Sequence, residues 1–367
     1  GAGRPGVAYQ ARQLGLAFNA VLGVIMSLFL SLGAGTILSG VGVADALMQP
    51  AKTYLQIVGG FCILNALIPI CSSYLRAFGF SKEPLYASII GNVINFCLNA
   101  FFLFVLHKGV AGVATATVIS RIINLVIVVL LGAVLVKAKQ HPERESNRAV
   151  MGQIIRIGLP SACETAIYNV SMTLVIRFLN QMDAQGLNVT ARSYTMQITN
   201  FSYCVGAALA QANAIMTGWH IGAKEYDACD RGTKKAAVIG VIVAVILETV
   251  FTLCSGWIMQ LFSKDPQMVS LVGKLLAIDI VLEIGRVTNL VYGQALKTSG
   301  DAVFPVVMGA CFMILCSVGG TYLFGIRLGL LAVGAYIGMT GDECVRAVGM
   351  YLRWKSGKWN EKGLVKS

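Results

Sequence analysis

The chain has 367 residues, of which 56% are hydrophobic and only 13% charged, yet its formal net charge is +12. Soluble globular domains carry about 25% charged residues, so this composition, with a mean hydropathy of +0.72, excludes a soluble fold and describes an integral membrane protein. The short alternating pattern of barrel strands is missing, which leaves an all-α membrane protein.

Apolar runs of about 20 residues, each long enough to cross a hydrocarbon core of about 30 Å as a helix, follow one another along the chain. They fall at 13–38, 53–75, 85–106, 112–136, 153–179, 193–219, 235–262, 269–295, 304–325 and 329–352, about ten spans. Nineteen lysines and arginines fall in one set of alternate connections. Only Lys52, Lys108, Arg192, Lys264 and Arg327 fall in the other. The positive-inside rule makes the richer set cytoplasmic and places both ends of the chain in the cytoplasm of a multi-pass protein of the cell membrane. The basic charge is thereby explained by topology, and no nucleic acid partner is expected.

The chain repeats itself with an offset of about 221 residues: Leu75, Arg76, Gly79 and Pro84 match Leu296, Lys297, Gly300 and Pro305. The same offset sets Gly1 and Ala2 on Gly222 and Ala223. A charged connection from Lys137 to Arg148 divides the repeats. The expected organisation is an N-terminal lobe of four spans (1–136), a cytoplasmic linker (137–152), a C-terminal lobe of six spans (153–353) and a basic cytoplasmic tail (354–367). Because repeat units are complete in a parent fold, two further spans are expected before Gly1, making ten of twelve. Halves of six spans share one orientation, a parallel repeat of two helical bundles.

The segments RAFGFSKEPLYASIIGNVINFCLN, KGVAGVATATVIS, IGLPSACETAIYN and ALKTSGDAVFP resemble, in order and spacing, the multidrug and toxic compound extrusion (MATE) family. The resemblance implies two six-helix lobes and a secondary active antiporter that exports amphipathic, mainly cationic, small molecules or drugs in exchange for sodium ions or protons by alternating access. It implies a monomer in the lipid bilayer, with no enzymatic activity, catalytic residue, cofactor or bound metal. A nucleotide-binding GxxxxGK[ST] loop and the hydrolase signatures HExxH and GxSxG are absent from the sequence. The other readings are a lipid-linked oligosaccharide flippase of the same superfamily and a non-transporting membrane receptor or scaffold.

Ionisable groups inside spans are expensive and need a partner or a task, and here they cluster in the second lobe. Glu164 follows Pro160 by four residues and shares a helical face with Tyr168 and Ser171. It is a candidate for binding a cation or proton, and the resemblance supports this, because some bacterial members carry a glutamate after the same GLP turn. Asp279, Glu283 and Arg286 recur at i, i+4 and i+7, with Asn289 three residues on. Arg286 is expected to neutralise Glu283, while Asp279 lies near the outer end of its span, where solvent alone could satisfy it. In the last span Arg346 can reach Asp342 or Glu343. One of these two is expected to be left over, either to pair with Arg286 or to hold a coupling ion. Tyr194, Gln197 and Asn200 form a polar stripe that, with Tyr168 and Asn289, is the candidate substrate cavity. Glu248 stands alone in its span and is left outside the site. The ten cysteines are mostly within spans and lack metal-ligand spacing, so they read as small core residues. Asn92, Asn95 and Asn99 read as hydrogen-bonding groups between helices.

Overall fold

Every apolar run of the sequence folds as helix, because in a membrane the backbone must satisfy its own hydrogen bonds. The computed structural model describes residues 2–41, 45–137, 143–182 and 186–360, and no strand occurs among them. The helices are α1 (Pro5–Leu32), α2 (Ala34–Val41), α3 (Asp45–Gly60), α4 (Ile63–Ala77), α5 (Lys82–Ala100), α6 (Gly109–Leu135), α7 (Asn147–Met182), α8 (Leu187–Gly222), α9 (Tyr226–Leu253), α10 (Ser255–Met259), α11 (Pro266–Thr298), α12 (Val303–Phe312) and α13 (Leu331–Lys355). Wider π-helical turns extend α5 at Phe101–Val105 and α12 at Met313–Val318 and Thr321–Arg327.

The chain divides into two compact units, a first of Arg4–Ile154 and a second of Ile155–Ser367 together with Gly1–Gly3. The helix α7 starts at Asn147, within the stretch 137–152 expected to be linker, and residues 138–142 lie outside the described residues. The tail expected from 354 begins inside α13. Trp354 and Trp359 are buried there and stacked, with ring centroids 4.1 Å apart.

Among the described residues, five helical segments are long and apolar enough to cross a membrane by themselves, and the bent pair α3–α4 makes a sixth. This is fewer than the ten runs read from the sequence. The difference lies in α7, α8, α11 and α13, which are 25 to 36 residues long. Their hydropathy is lowered by polar side chains, many of which are turned into the interior of the second unit: Arg192, Thr195, Ser202, Asp279, Glu283, Asp342, Glu343 and Arg346 are all buried. The outer connection was expected to hold Arg192, but it lies in α8, buried, with its Nη2 3.7 Å from the Met172 sulfur.

The repeat survives as backbone geometry. After α4, Gly79 has φ +89°, its amide donates to the Arg76 carbonyl, and Phe80 N donates to Leu75 O at 3.0 Å. After α11, Gly300 has φ +95°, its amide donates to the Lys297 carbonyl, and Asp301 N donates to Leu296 O at 2.9 Å. Both helices end in the same glycine-closed motif, which needs a left-handed residue at that point.

In the first unit Cys71, Leu75, Ala87 and Val128 form the core. Asn95 Nδ2 donates to Ser120 Oγ across α5 and α6 at 3.3 Å, and Asn99 donates to Asn95. Asn95 thus ties two helices together as expected, whereas Asn99 bonds within its own helix. In the second unit one cluster gathers around Val175, Leu275 and Tyr336, and another around Val287, Leu296 and Trp354.

Glycines set how closely helices approach in the second unit. A Cβ on Gly285 of α11 would come within 2.8 Å of Cys344 N and 2.9 Å of Glu343 C on α13. On α8 and α9, Gly206 and Gly240 receive the side chain of Val287. Overpacking of this kind costs about 1–3 kcal/mol, so Gly285→Ala should lower the thermal midpoint of the purified protein in micelles. Gly152→Ala is the comparison, because its Cβ would meet nothing within 4 Å; it should leave the midpoint unchanged or raise it slightly.

Candidate functional site

The close passage of α11 and α13 at Gly285 brings two charged stretches of sequence side by side. Glu283 and Arg286, one turn apart on α11, form an ion pair. Arg286 Nε also lies 3.8 Å from Glu343 Oε1, and Asn289 Nδ2 donates to Glu343 Oε2 at 3.0 Å. On α13, Arg346 holds Asp342 with two hydrogen bonds of 2.8 and 2.9 Å and reaches Glu343 at 2.9 Å. Ser317 Oγ donates to Asp342 Oδ2 at 2.9 Å. Arg346 therefore serves both carboxylates where one was expected to be left over, and Arg286 bridges Glu283 to Glu343. Such charge-assisted, partly bidentate bonds are the strong members of their class.

Asp279, for which the sequence left solvation and ion binding both open, is 2% exposed. It stands with Glu283 and with Glu248 of α9, so that one oxygen from each lies within 4.8 Å of the others. Glu248, set aside on sequence because it has no ionisable neighbour along its helix, is fully buried. Its partners come from another helix, and the periodicity of one helix cannot reveal that. The usable signal was its rarity, a lone carboxylate in a 28-residue apolar helix. At an effective dielectric of 20, two charges at that separation repel by about 3.5 kcal/mol. Five buried carboxylates (Glu248, Asp279, Glu283, Asp342 and Glu343) thus share two guanidiniums, Arg286 and Arg346.

Glu164 makes no ion pair with this group but lies within electrostatic reach of Arg346. Lys297, in the last turn of α11, approaches its Oε2 at 2.6 Å, and Gly309 of α12 packs against its side chain. In the repeat Lys297 is the counterpart of Arg76. Its position on α11 makes it the partner of Glu164, whereas Ser171 is buried and Tyr168 is 41% exposed. Tyr203, also 41% exposed, has its ring 6.0 Å from the Arg286 guanidinium.

The polar stripe of α8 separates into two parts. Tyr194 turns inward against Phe262, with ring centroids 5.3 Å apart, and joins the apolar core, while Gln197 and Asn200 are exposed. Tyr194 is a packing residue because it sits one position round the helix from the exposed edge. Asn289, expected in a substrate cavity, is engaged by Glu343. Among the cysteines, Cys71 and Cys229 are buried, but Cys97, Cys163, Cys204, Cys254 and Cys311 are exposed, so these five are not the core residues they were expected to be.

The model of the MatE family matches residues 1–101 and 160–323. The chain belongs to the MatE family. It is 32% identical to "Uncharacterized transporter YisQ" of Bacillus subtilis (strain 168) over 98% of this chain and 80% of that protein. It is 22% identical to "Probable multidrug resistance protein NorM" of Thermotoga maritima, over 92% of this chain and 76% of the relative. Among solved structures, a MATE protein in the straight conformation superposes with a TM-score of 0.85 at 18% identity, covering 98% of this chain and 84% of that one. This MatE chain is thus an all-α, multi-pass membrane protein of a transporter family.

The α11–α13 network yields a stability prediction. Breaking a buried pair by removing one partner costs about 3–5 kcal/mol. Arg346→Gln, which abandons both Asp342 and Glu343, should lower the thermal midpoint strongly. Adding Asp342→Asn should recover a large part of the loss, and unfolding of the two single variants and the double variant measures the non-additivity.

Proposed function

We propose that this MatE protein is a secondary active antiporter that exports amphipathic small molecules, organic cations and drugs among them, in exchange for sodium ions or protons. It works by alternating access as a monomer in the cell membrane, with both ends of this chain on the cytoplasmic side. The observation that carries the reading is the excess of buried carboxylates over guanidiniums on α9, α11 and α13. Isolated charges are not stable in a dry interior, so at least one positive charge must be taken up from outside the protein. Taking up or releasing it changes the relative stability of two arrangements of the same helices, as a coupling ion must do. The similarity to a probable multidrug resistance protein supports drug-like substrates. The coupling groups in this reading are Asp279, Glu283, Asp342 and Glu343, together with Glu164, whose link to Lys297 a proton or a cationic substrate can open. Tyr168, Gln197 and Asn200, all exposed, are the residues offered to substrate.

The test is efflux of a fluorescent cationic dye from proteoliposomes under an imposed sodium or proton gradient. The wild-type protein should move dye only when a gradient is present. Asp279→Asn should reduce gradient-driven efflux at least tenfold in protein that retains its thermal midpoint, and Glu164→Gln should reduce it as well. Dye movement independent of any gradient would refute antiport, and gradient-independent translocation of a lipid-linked sugar would favour a flippase instead.

A further inference from the structure

The face of α9 opposite its buried side is apolar along most of its length. Ile239, Ile242, Ile246 and Val250 recur there at i, i+3, i+7 and i+11, all exposed. Towards the start of the helix the same stripe ends in Lys235 and Arg231, one turn apart and both exposed. On α13, Val345, Val348 and Leu352 form a second exposed apolar stripe, and it ends in the exposed Lys355. The ion pairs near this end are Lys234 with Asp230, Arg353 with Asp301 and His220 with Glu225. Arg231, Lys235 and Lys355 belong to none among the described residues. Asp227 stands one turn beyond Arg231, further from the apolar stripe.

The two stripes are brought together at one junction. Trp354 Nε1 donates to Asp230 Oδ1 at 2.9 Å, and Lys234 lies within electrostatic reach of Tyr351. Beyond α13 the chain turns at Gly357, which has φ +70°. Trp359 then stacks on Trp354 and sets its ring 6.0 Å from that of Tyr226 on α9. The start of α9 thus meets the end of α13, and the two helices run antiparallel away from the contact. In antiparallel right-handed helices the residue after each contact residue turns to the same side. Arg231 follows Asp230 and Lys355 follows Trp354, so the two basic groups flank one face.

We propose that this face is a docking surface for an anionic phospholipid, its phosphate held by Arg231, Lys235 and Lys355 and its acyl chains laid along the apolar stripes of α9 and α13. Two features select this occupant. The basic groups are unpaired, so the occupant carries negative charge, and they stand at the ends of apolar stripes, so the rest of it is apolar. Arginine takes phosphate oxygens bidentately, while lysine adds a point charge. An acidic protein segment would satisfy the bases and leave the stripes without a partner. The surface lies on the side of α9 away from Glu248, and the inference does not rest on the transport reading.

The experiment is thermal unfolding of the purified protein in neutral micelles, titrated with phosphatidylglycerol at constant ionic strength. Phosphatidylcholine with the same acyl chains, inorganic phosphate and polyglutamate are the other arms. A ligand that binds only the folded state raises the midpoint in a saturable way, and the rise should occur with phosphatidylglycerol alone. Each basic group near a membrane surface strengthens the attraction to anionic lipid about fivefold. Arg231→Gln with Lys355→Gln should therefore raise the half-saturating lipid concentration at least about tenfold. Lys264→Gln, beyond the other end of α9, should leave it unchanged. If the double variant does not fold, Lys235→Gln should weaken the response about fivefold. An equal rise with phosphatidylcholine overturns the surface, as does a response that the variants leave intact. An equal rise with inorganic phosphate would make it a free-anion site, and one with polyglutamate a protein-docking site; either result overturns the lipid assignment.

Discussion

The second unit depends on how α11 and α13 share two guanidiniums among more carboxylates than they can neutralise. Gly285 allows the helices to approach until backbone meets backbone, and at that distance Arg286 and Asn289 of α11 reach Glu343, which Arg346 already holds from within α13. A side chain at Gly285 would loosen the contacts that cross between the helices, Arg286 to Glu343 and Asn289 to Glu343, and leave the pairs within each helix in place. The packing requirement and the electrostatic requirement therefore coincide at one residue. The same contact leaves Asp279 and Glu248 uncompensated, because the nearest positive charge is already committed to Glu283 and Glu343.

The two halves share a backbone device and differ in their interior chemistry. The glycine-closed ends of α4 and α11 are alike in φ and in hydrogen bonding, and the basic residue in each last turn, Arg76 or Lys297, recurs as well. In the second unit that lysine is bonded to Glu164. The interior of the first unit is instead tied by amide and hydroxyl groups, such as Asn95 with Ser120, which hold helices together without storing charge. In the second unit the excess of carboxylates changes its internal repulsion with each ion bound or lost.

Much of this was legible in the sequence. Helices, the repeat and the family resemblance followed from apolar run length and from matched glycine and proline positions, and the pairs within one helix, Glu283 with Arg286 and Asp342 with Arg346, followed from their spacing. What stayed hidden depends on contacts between helices. Glu248 has no partner along its own helix, Lys297 looks like a loop residue until α11 is seen to include it, and Tyr194 differs from Gln197 only by a rotation that hydropathy does not resolve. The polar helices α7, α8, α11 and α13 also show why strict apolarity undercounts spans, since their charges are buried against each other.

The most direct measurement is hydrogen–deuterium exchange of the purified protein with and without sodium at constant ionic strength, read on peptides covering α9, α11 and α13. If the buried carboxylate excess is where a cation is taken up, sodium should slow exchange in the segments around Glu248, Asp279 to Glu283 and Asp342 to Arg346, and leave α1 to α6 unchanged. Protection confined to the first unit, or no protection at any sodium concentration, would contradict the account.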